Sequence, residues 1–321
     1  MIKACKPAAK AVGQAMEARK MKKMHGVIVP IITPLDQNDR VDQKALTDLC
    51  EFLIKKGIHG LYPCGTTGET MSLEPEERKL IIETVVKAAA GRVDVFAQVG
   101  TTNLRDTIEL AKYAEKIGVD GVGVVTPPYL KLSDAALEEY FVKVAQSIPN
   151  LPMYLYGIPQ CAVNDITPEL AARVAGRAEN VVGIKYSYPD MVRIQRFMGI
   201  RNGTFSVLCG FEELFFVTLC AGGDGVVAGT AAVLPEHYLG IYKKFLSRDY
   251  EGARMLQRKT NRVADILNTN NNIAHYKAAV KTLYGIDGGH MRSPGMDLTQ
   301  EQTDEMTAKL NRDGNLDAAS Y

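Results

Sequence analysis

The 321-residue sequence has no tryptophan, no Cys-x-x-Cys pair and no apolar run near the roughly 18 residues that a membrane span needs. Its six cysteines (Cys5, Cys50, Cys64, Cys161, Cys209 and Cys220) are scattered and form no cluster with the five histidines. A zinc site of the usual spacing is therefore not expected, and a reduced, cytoplasmic chain is the simpler reading. Neither charge is in surplus. The 38 Lys+Arg against 37 Asp+Glu leave a formal charge of +1, without the basic excess of a nucleic-acid binder. The first 24 residues are basic but lack the apolar core of a secretory signal. They read as an N-terminal extension, a frayed or packing helix, with a transit peptide as the alternative. What is present is ordinary: 46% hydrophobic and 23% charged residues, enough to bury a core and to exclude wholesale disorder.

Eight short apolar, β-branched runs recur, at 27–33, 59–63, 93–99, 121–126, 152–156, 181–185, 205–209 and 225–229. They are nearly continuous rather than alternating, as strands buried on both faces of a parallel sheet must be. Amphipathic stretches separate them, among them 42–56, 75–90, 104–117, 134–147 and 168–178, several opening on Ser133, Thr167-Pro168 or Glu74-Pro75. Eight such repeats predict an α/β fold, a (β/α)8 TIM barrel over residues 25–248. A doubly wound sheet would show a glycine-rich turn after its first strand, and 27–36 has none. Helical pattern then continues from Arg248 to about Leu310, predicting a C-terminal helical appendage over 249–321, with the Asn-rich stretch 268–272 as a helix–helix turn.

In such barrels the site lies at the C-terminal ends of the strands. Those ends carry Thr66, Thr67 and Glu69 after strand two, Tyr129 after four, Tyr156 at five, Lys185 and Ser187 at six, Gly210, Glu212 and Glu213 after seven, and Gly229 after eight. No histidine is among them. Lys185 closes the run 181–184, so its amine emerges from the barrel wall. It is either an outward-snorkelling lysine or a desolvated amine of lowered pKa, able to form a Schiff base with a ketone. Tyr156 could shuttle the accompanying proton, or be a core tyrosine with a satisfied hydroxyl. The Gly-Thr-Thr-Gly turn offers hydroxyls and N–H groups to a carboxylate, and Glu69 reads as a brace for that loop.

GTTGE at 65–69, YGIP at 156–159 and GIK at 183–185 together resemble the pyruvate-dependent class I aldolases and lyases of the N-acetylneuraminate lyase and dihydrodipicolinate synthase family. The likeness extends from VPIITP at 29–34 to MRSP at 291–294. The resemblance implies that Lys185 forms the imine with pyruvate, with no further cofactor. It makes Tyr156 the proton relay, and Thr66 and Thr67 the holders of the carboxylate. It places a hydroxyl at Ser187, and at Gly229 a backbone or small-hydroxyl contact to the keto acid. Tyr129 matches more loosely a tyrosine that reaches into the neighbouring subunit's site, and the expected assembly is a homo-oligomer, a dimer of dimers.

Departures from the family pattern bear on the substrate. The synthase of lysine biosynthesis carries an arginine five residues after its catalytic tyrosine, where this chain has Cys161, and a thiol cannot replace a bidentate guanidinium. Glu212 and Glu213, after Gly210, resemble the acidic pair that grips the polyol tail in sialate lyases, although acids also suit a helix N-terminus. Ala231-Ala232-Val233 lacks the aromatic that the sialate enzyme keeps after strand eight. The expectation is therefore a lyase that cleaves a 2-keto-3-deoxy sugar acid to pyruvate and an aldehyde. The alternatives are dihydrodipicolinate synthesis, a keto-deoxy acid dehydratase, and a non-catalytic keto-acid binder. No metal, nucleic acid or membrane partner is expected.

Overall fold

The computed structural model describes residues 21–267 and 272–313. Its centre is a closed parallel barrel in which the strands stand side by side in chain order. They are β1 (Gly26–Pro30), β2 (Gly60–Tyr62), β3 (Asp94–Gln98), β4 (Gly121–Val125), β5 (Met153–Gly157), β6 (Val181–Tyr186), β7 (Ser206–Cys209) and β8 (Gly225–Val227). Pairing of Gly26 with Gly225 closes β8 onto β1. The (β/α)8 TIM barrel expected from the sequence is the fold observed.

Most of the strands, β5 and β6 excepted, are shorter than their apolar runs. The last β1–β2 pair is Pro30 with Tyr62, yet Ile31, Ile32 and Thr33 are still buried. Strand tilt ends the shared ladder before the chain leaves the interior, so burial at the barrel mouth outlasts pairing.

Helices α1 (Gln43–Lys56), α2 (Pro75–Ala89), α3 (Leu104–Ile117) and α4 (Asp134–Ser147) follow the first four strands. The short α5 (Pro159–Ala162) precedes α6 (Pro168–Arg177), and α7 (Met191–Met198), α8 (Phe215–Cys220) and α9 (Pro235–Leu246) complete the ring. The start signals act as read. Ser133 accepts from Ala136 N, Thr167 accepts from Leu170 N, and Glu74 forms a reciprocal capping box with Glu77.

Beyond the ring lie α10 (Tyr250–Leu267), α11 (Asn272–Tyr284) and α12 (Gln300–Asp313). The C-terminal helices expected from the sequence are present, with a further break that the helical pattern from Arg248 to about Leu310 did not show, because 285–299 is not helical. That segment holds Gly285 and Gly289 at φ +69° and +67°, left-handed positions that stop a helix, and Pro294. The expected turn at 268–272 falls, for 268–271, outside the described residues, as do residues 1–20 of the N-terminal extension. Residues 21–24 are not helical. Met24 closes the floor of the barrel, packed with Ile28, Tyr62, Phe96, Tyr154, Val182, Leu208 and Val227, and its N–H donates to the Tyr154 hydroxyl at 2.8 Å. Lys22 fastens the same segment to Asp94 and Asp120.

Candidate active site

β5 and β6 run in register so that Tyr156 and Lys185 are paired neighbours whose side chains share the inner face. The Lys185 side chain is 4% exposed, which removes the outward-snorkelling reading. Its Nζ stands 4.0 Å from the centre of the Tyr156 ring and 4.8 Å from that of Tyr62. Among the described residues no carboxylate lies within 4.0 Å of it. Two ring faces hold the amine by cation–π attraction while leaving its nitrogen without an ionic partner.

The Tyr156 hydroxyl sits 3.0 Å from Thr66 Oγ1. Thr66 opens a single 3₁₀ turn, Thr66–Gly68, above β2. Thr33 Oγ1 donates to the Gly68 carbonyl at 2.9 Å and pins that turn to the segment that follows β1. Glu69 ends the turn in a left-handed conformation, φ +58°. It meets Lys277 of α11 at 2.6 Å, with both side chains buried, and accepts from Arg292 N at 3.0 Å. The brace expected of Glu69 thus extends to the C-terminal segment. Burial holds the Lys277 ammonium below its ordinary range, against the opposing pull of Glu69.

A cavity of about 350 Å³ opens at this mouth. Thr66, Thr67, Tyr156, Lys185, Ser187, Gly210, Glu212, Glu213 and Gly229 all line it, so the structure brings together every residue that the sequence assigned to catalysis or substrate contact except one. Gly210 packs closely on Ser187, since a β-carbon there would lie 3.0 Å from the Ser187 Cβ and 3.1 Å from its Cα. The Glu212 carboxylate accepts from Thr230 N at 3.3 Å, joining the loops after β7 and β8. The Glu213 carboxyl is shifted up, first by burial and then by the charge of Asp265. The exception is Tyr129, which is 86% exposed at φ +79° and does not reach the cavity of its own chain.

Sequence reasoning passed over Tyr62, whose ring supports Lys185, and Tyr276, which reaches the cavity from α11. Tyr62 ends an apolar strand and could have been noticed on that ground; the place of Tyr276 on a distant helix carries no local signal. A second, largely apolar cavity of about 270 Å³ adjoins the first. It shares Thr66, Tyr156 and Ile158 with it and adds Cys161, Met71, Ile273 and Met291.

Residues 23–313 match the dihydrodipicolinate synthetase family. The chain belongs to that family. Among curated relatives it is 33% identical over 242 residues to the probable 2-dehydro-3-deoxy-D-pentonate aldolase YjhH of Escherichia coli, covering 74% of this chain and 80% of the relative. It is 36% identical over 231 residues to the 4-hydroxy-tetrahydrodipicolinate synthase of Thermus thermophilus, covering 72% and 77%. Among solved structures, the sialic acid aldolase of Ruminococcus gnavus superposes with a TM-score of 0.87 at 28% identity, covering 91% of this chain and 97% of the other. These relatives are lyases and aldolases, as the sequence resemblance implied, and they differ from one another in substrate.

Proposed function

We propose that the protein is a class I aldolase that forms an imine between Lys185 and the keto carbon of a 2-keto-3-deoxy sugar acid, and cleaves it to pyruvate and an aldehyde. The observation that carries this reading is a buried amine between two tyrosine rings, 4.0 Å from the centre of one whose hydroxyl contacts Thr66. Lys185 attacks the ketone and water leaves, giving an iminium that draws electrons from the C3–C4 bond. The C4 hydroxyl gives up its proton through Tyr156, the bond breaks, and an aldehyde departs from an enamine. Protonation of the enamine at C3 and hydrolysis then return pyruvate and the free amine. Thr66 and Thr67 bind the carboxylate, and Ser187, Gly210 and Gly229 border the chain of the substrate.

Charge supports a sugar acid over a second carboxylate. Glu212 and Glu213 accept from sugar hydroxyls and repel an anionic aldehyde. Cys161 stands beside the cavity where an arginine is needed for the synthase reaction. Arg292 borders the neighbouring cavity but is held by Glu77 and Asp39, so its charge is already matched. The synthase reaction is the second reading, favoured by the name of the Thermus thermophilus relative.

Borohydride with pyruvate should inactivate the parent and add the mass of a reduced adduct at Lys185. An undiminished adduct in Lys185→Ala refutes the assignment. A panel of sialate, 2-keto-3-deoxygluconate and aspartate semialdehyde, scored for pyruvate released or consumed, then separates the two readings.

A further inference from the structure

Gly229 opens the turn after β8 with no side chain, and the space that a side chain would use is already bounded by another residue. A β-carbon built there would lie 3.2 Å from both Cε2 and the hydroxyl oxygen of Tyr276, and 3.5 Å from Thr67 Oγ1. Tyr276 belongs to α11, outside the barrel ring, yet it is 3% exposed and lines the same cavity as Lys185 and Glu213. Its neighbour in sequence, Lys277, is tied to Glu69 at 2.6 Å and donates to the His290 carbonyl. α11 therefore cannot turn about its axis without breaking a buried ion pair. A leucine would fill this wall as well; a tyrosine sets an oxygen into it.

We infer that Tyr276 is a specificity-determining residue. Its hydroxyl hydrogen-bonds the hydroxylated, aldehyde-derived part of the substrate. This rests on the sugar-acid reading above. Position assigns the contact to that part. Lys185, Tyr156 and Thr66 converge on the keto-acid end, whereas Tyr276 shares the cavity with Glu212 and Glu213, the acceptors assigned above to the sugar hydroxyls.

Tyr276→Phe keeps the ring and removes only the oxygen. Borohydride trapping with pyruvate alone should stay within about twofold of the parent. The kcat/KM for the sugar acid that the parent cleaves best should fall about tenfold, mainly through KM, the worth of one uncharged hydrogen bond. Tyr276→Leu should show the same split, and adding Gly229→Ser to Tyr276→Leu should restore part of the loss by returning a hydroxyl to uncrowded space. The inference is overturned if both single variants keep sugar-acid kcat/KM within twofold, or if pyruvate trapping falls as far as cleavage does. A parent that traps no pyruvate refutes the Schiff-base reading itself. A parent that traps pyruvate but cleaves no sugar acid refutes the substrate reading and this inference with it. A parent that does both, with an unaffected Tyr276→Phe, overturns the role of Tyr276 alone.

Discussion

Lys185 keeps its nitrogen available because its neighbours are ring faces rather than carboxylates, and that choice of neighbour is what chemistry at this residue requires. Tyr62 supports it from below and is itself fitted closely, since a β-carbon on Gly123 would come 1.9 Å from the Tyr62 hydroxyl. If Tyr156 relays the proton, Tyr156→Phe should preserve the unfolding temperature and lower turnover by about 10²–10⁴-fold; steady-state kinetics within threefold of the parent would remove it from the mechanism. Glu213→Gln should reduce kcat/KM for the sugar acid by about one to two decades, the range of one charge-assisted contact, and leave pyruvate trapping nearly intact. Glu212→Gln should also lower thermal stability, because its carboxylate accepts from Thr230 N. Lys185 and Tyr156 could be found in the sequence because each ends an apolar run with a functional group. Tyr62 hides as one more apolar position, and Tyr276 acquires its place only when a distant helix folds over the mouth.

Elements built on local signals were legible to within a residue. Helices α1 to α4 and α6 follow their caps and apolar period, whereas the break at 285–299 was not foreseen because amphipathic residues on either side carry the pattern across it. The contact that joins the Thr66–Gly68 turn to α11 is the buried Glu69–Lys277 pair, and sequence spacing does not announce a pair 208 residues apart. Removing one partner leaves an uncompensated buried charge. Glu69→Gln should therefore destabilise the protein by about 3–5 kcal/mol in urea unfolding, and the double variant Glu69→Gln/Lys277→Met should recover a good part of that. A second element-scale test uses pH. His237 of α9 is buried with Nδ1 3.2 Å from Thr260 Oγ1 of α10, and burial, with a smaller effect of Lys259, pushes its imidazole down to about 4 from 6.5. The folded chain thus holds it neutral where the unfolded chain binds a proton. Stability from this group is complete above pH 6.5 and is lost as pH falls toward 4, by roughly 3 kcal/mol. His237→Gln should flatten the pH dependence of the urea midpoint across that window; an unchanged slope would refute the assignment.

At the scale of the whole molecule, the site of one chain lacks one of its expected parts. Tyr129, Leu130, Met71 and Val163 are all large, apolar and more than half exposed, a grouping suited to a subunit contact. If Tyr129 completes the site of a second copy, Lys185→Ala and Tyr129→Ala should each have little activity alone. Co-expressed, they should regain turnover, since a mixed oligomer holds one intact lysine beside one intact tyrosine. Failure to regain it, in particles that sedimentation shows to be mixed, would count against the crossing. The described residues form no helix long and apolar enough to cross a membrane. The barrel could be read from eight repeated runs, while the way its mouth is closed could not, because that closure comes from far along the chain. This has a consequence in time. During synthesis the strands through Val227 can all have emerged while Tyr276, Lys277 and Arg292 are still to be made, so the barrel can close before its mouth is finished. At roughly 5–20 residues per second, that leaves an interval of a few seconds. A nascent chain halted before residue 272 should have a closed sheet but a Thr66–Gly68 turn without its Lys277 brace, and full activity on the sugar acid should arrive late.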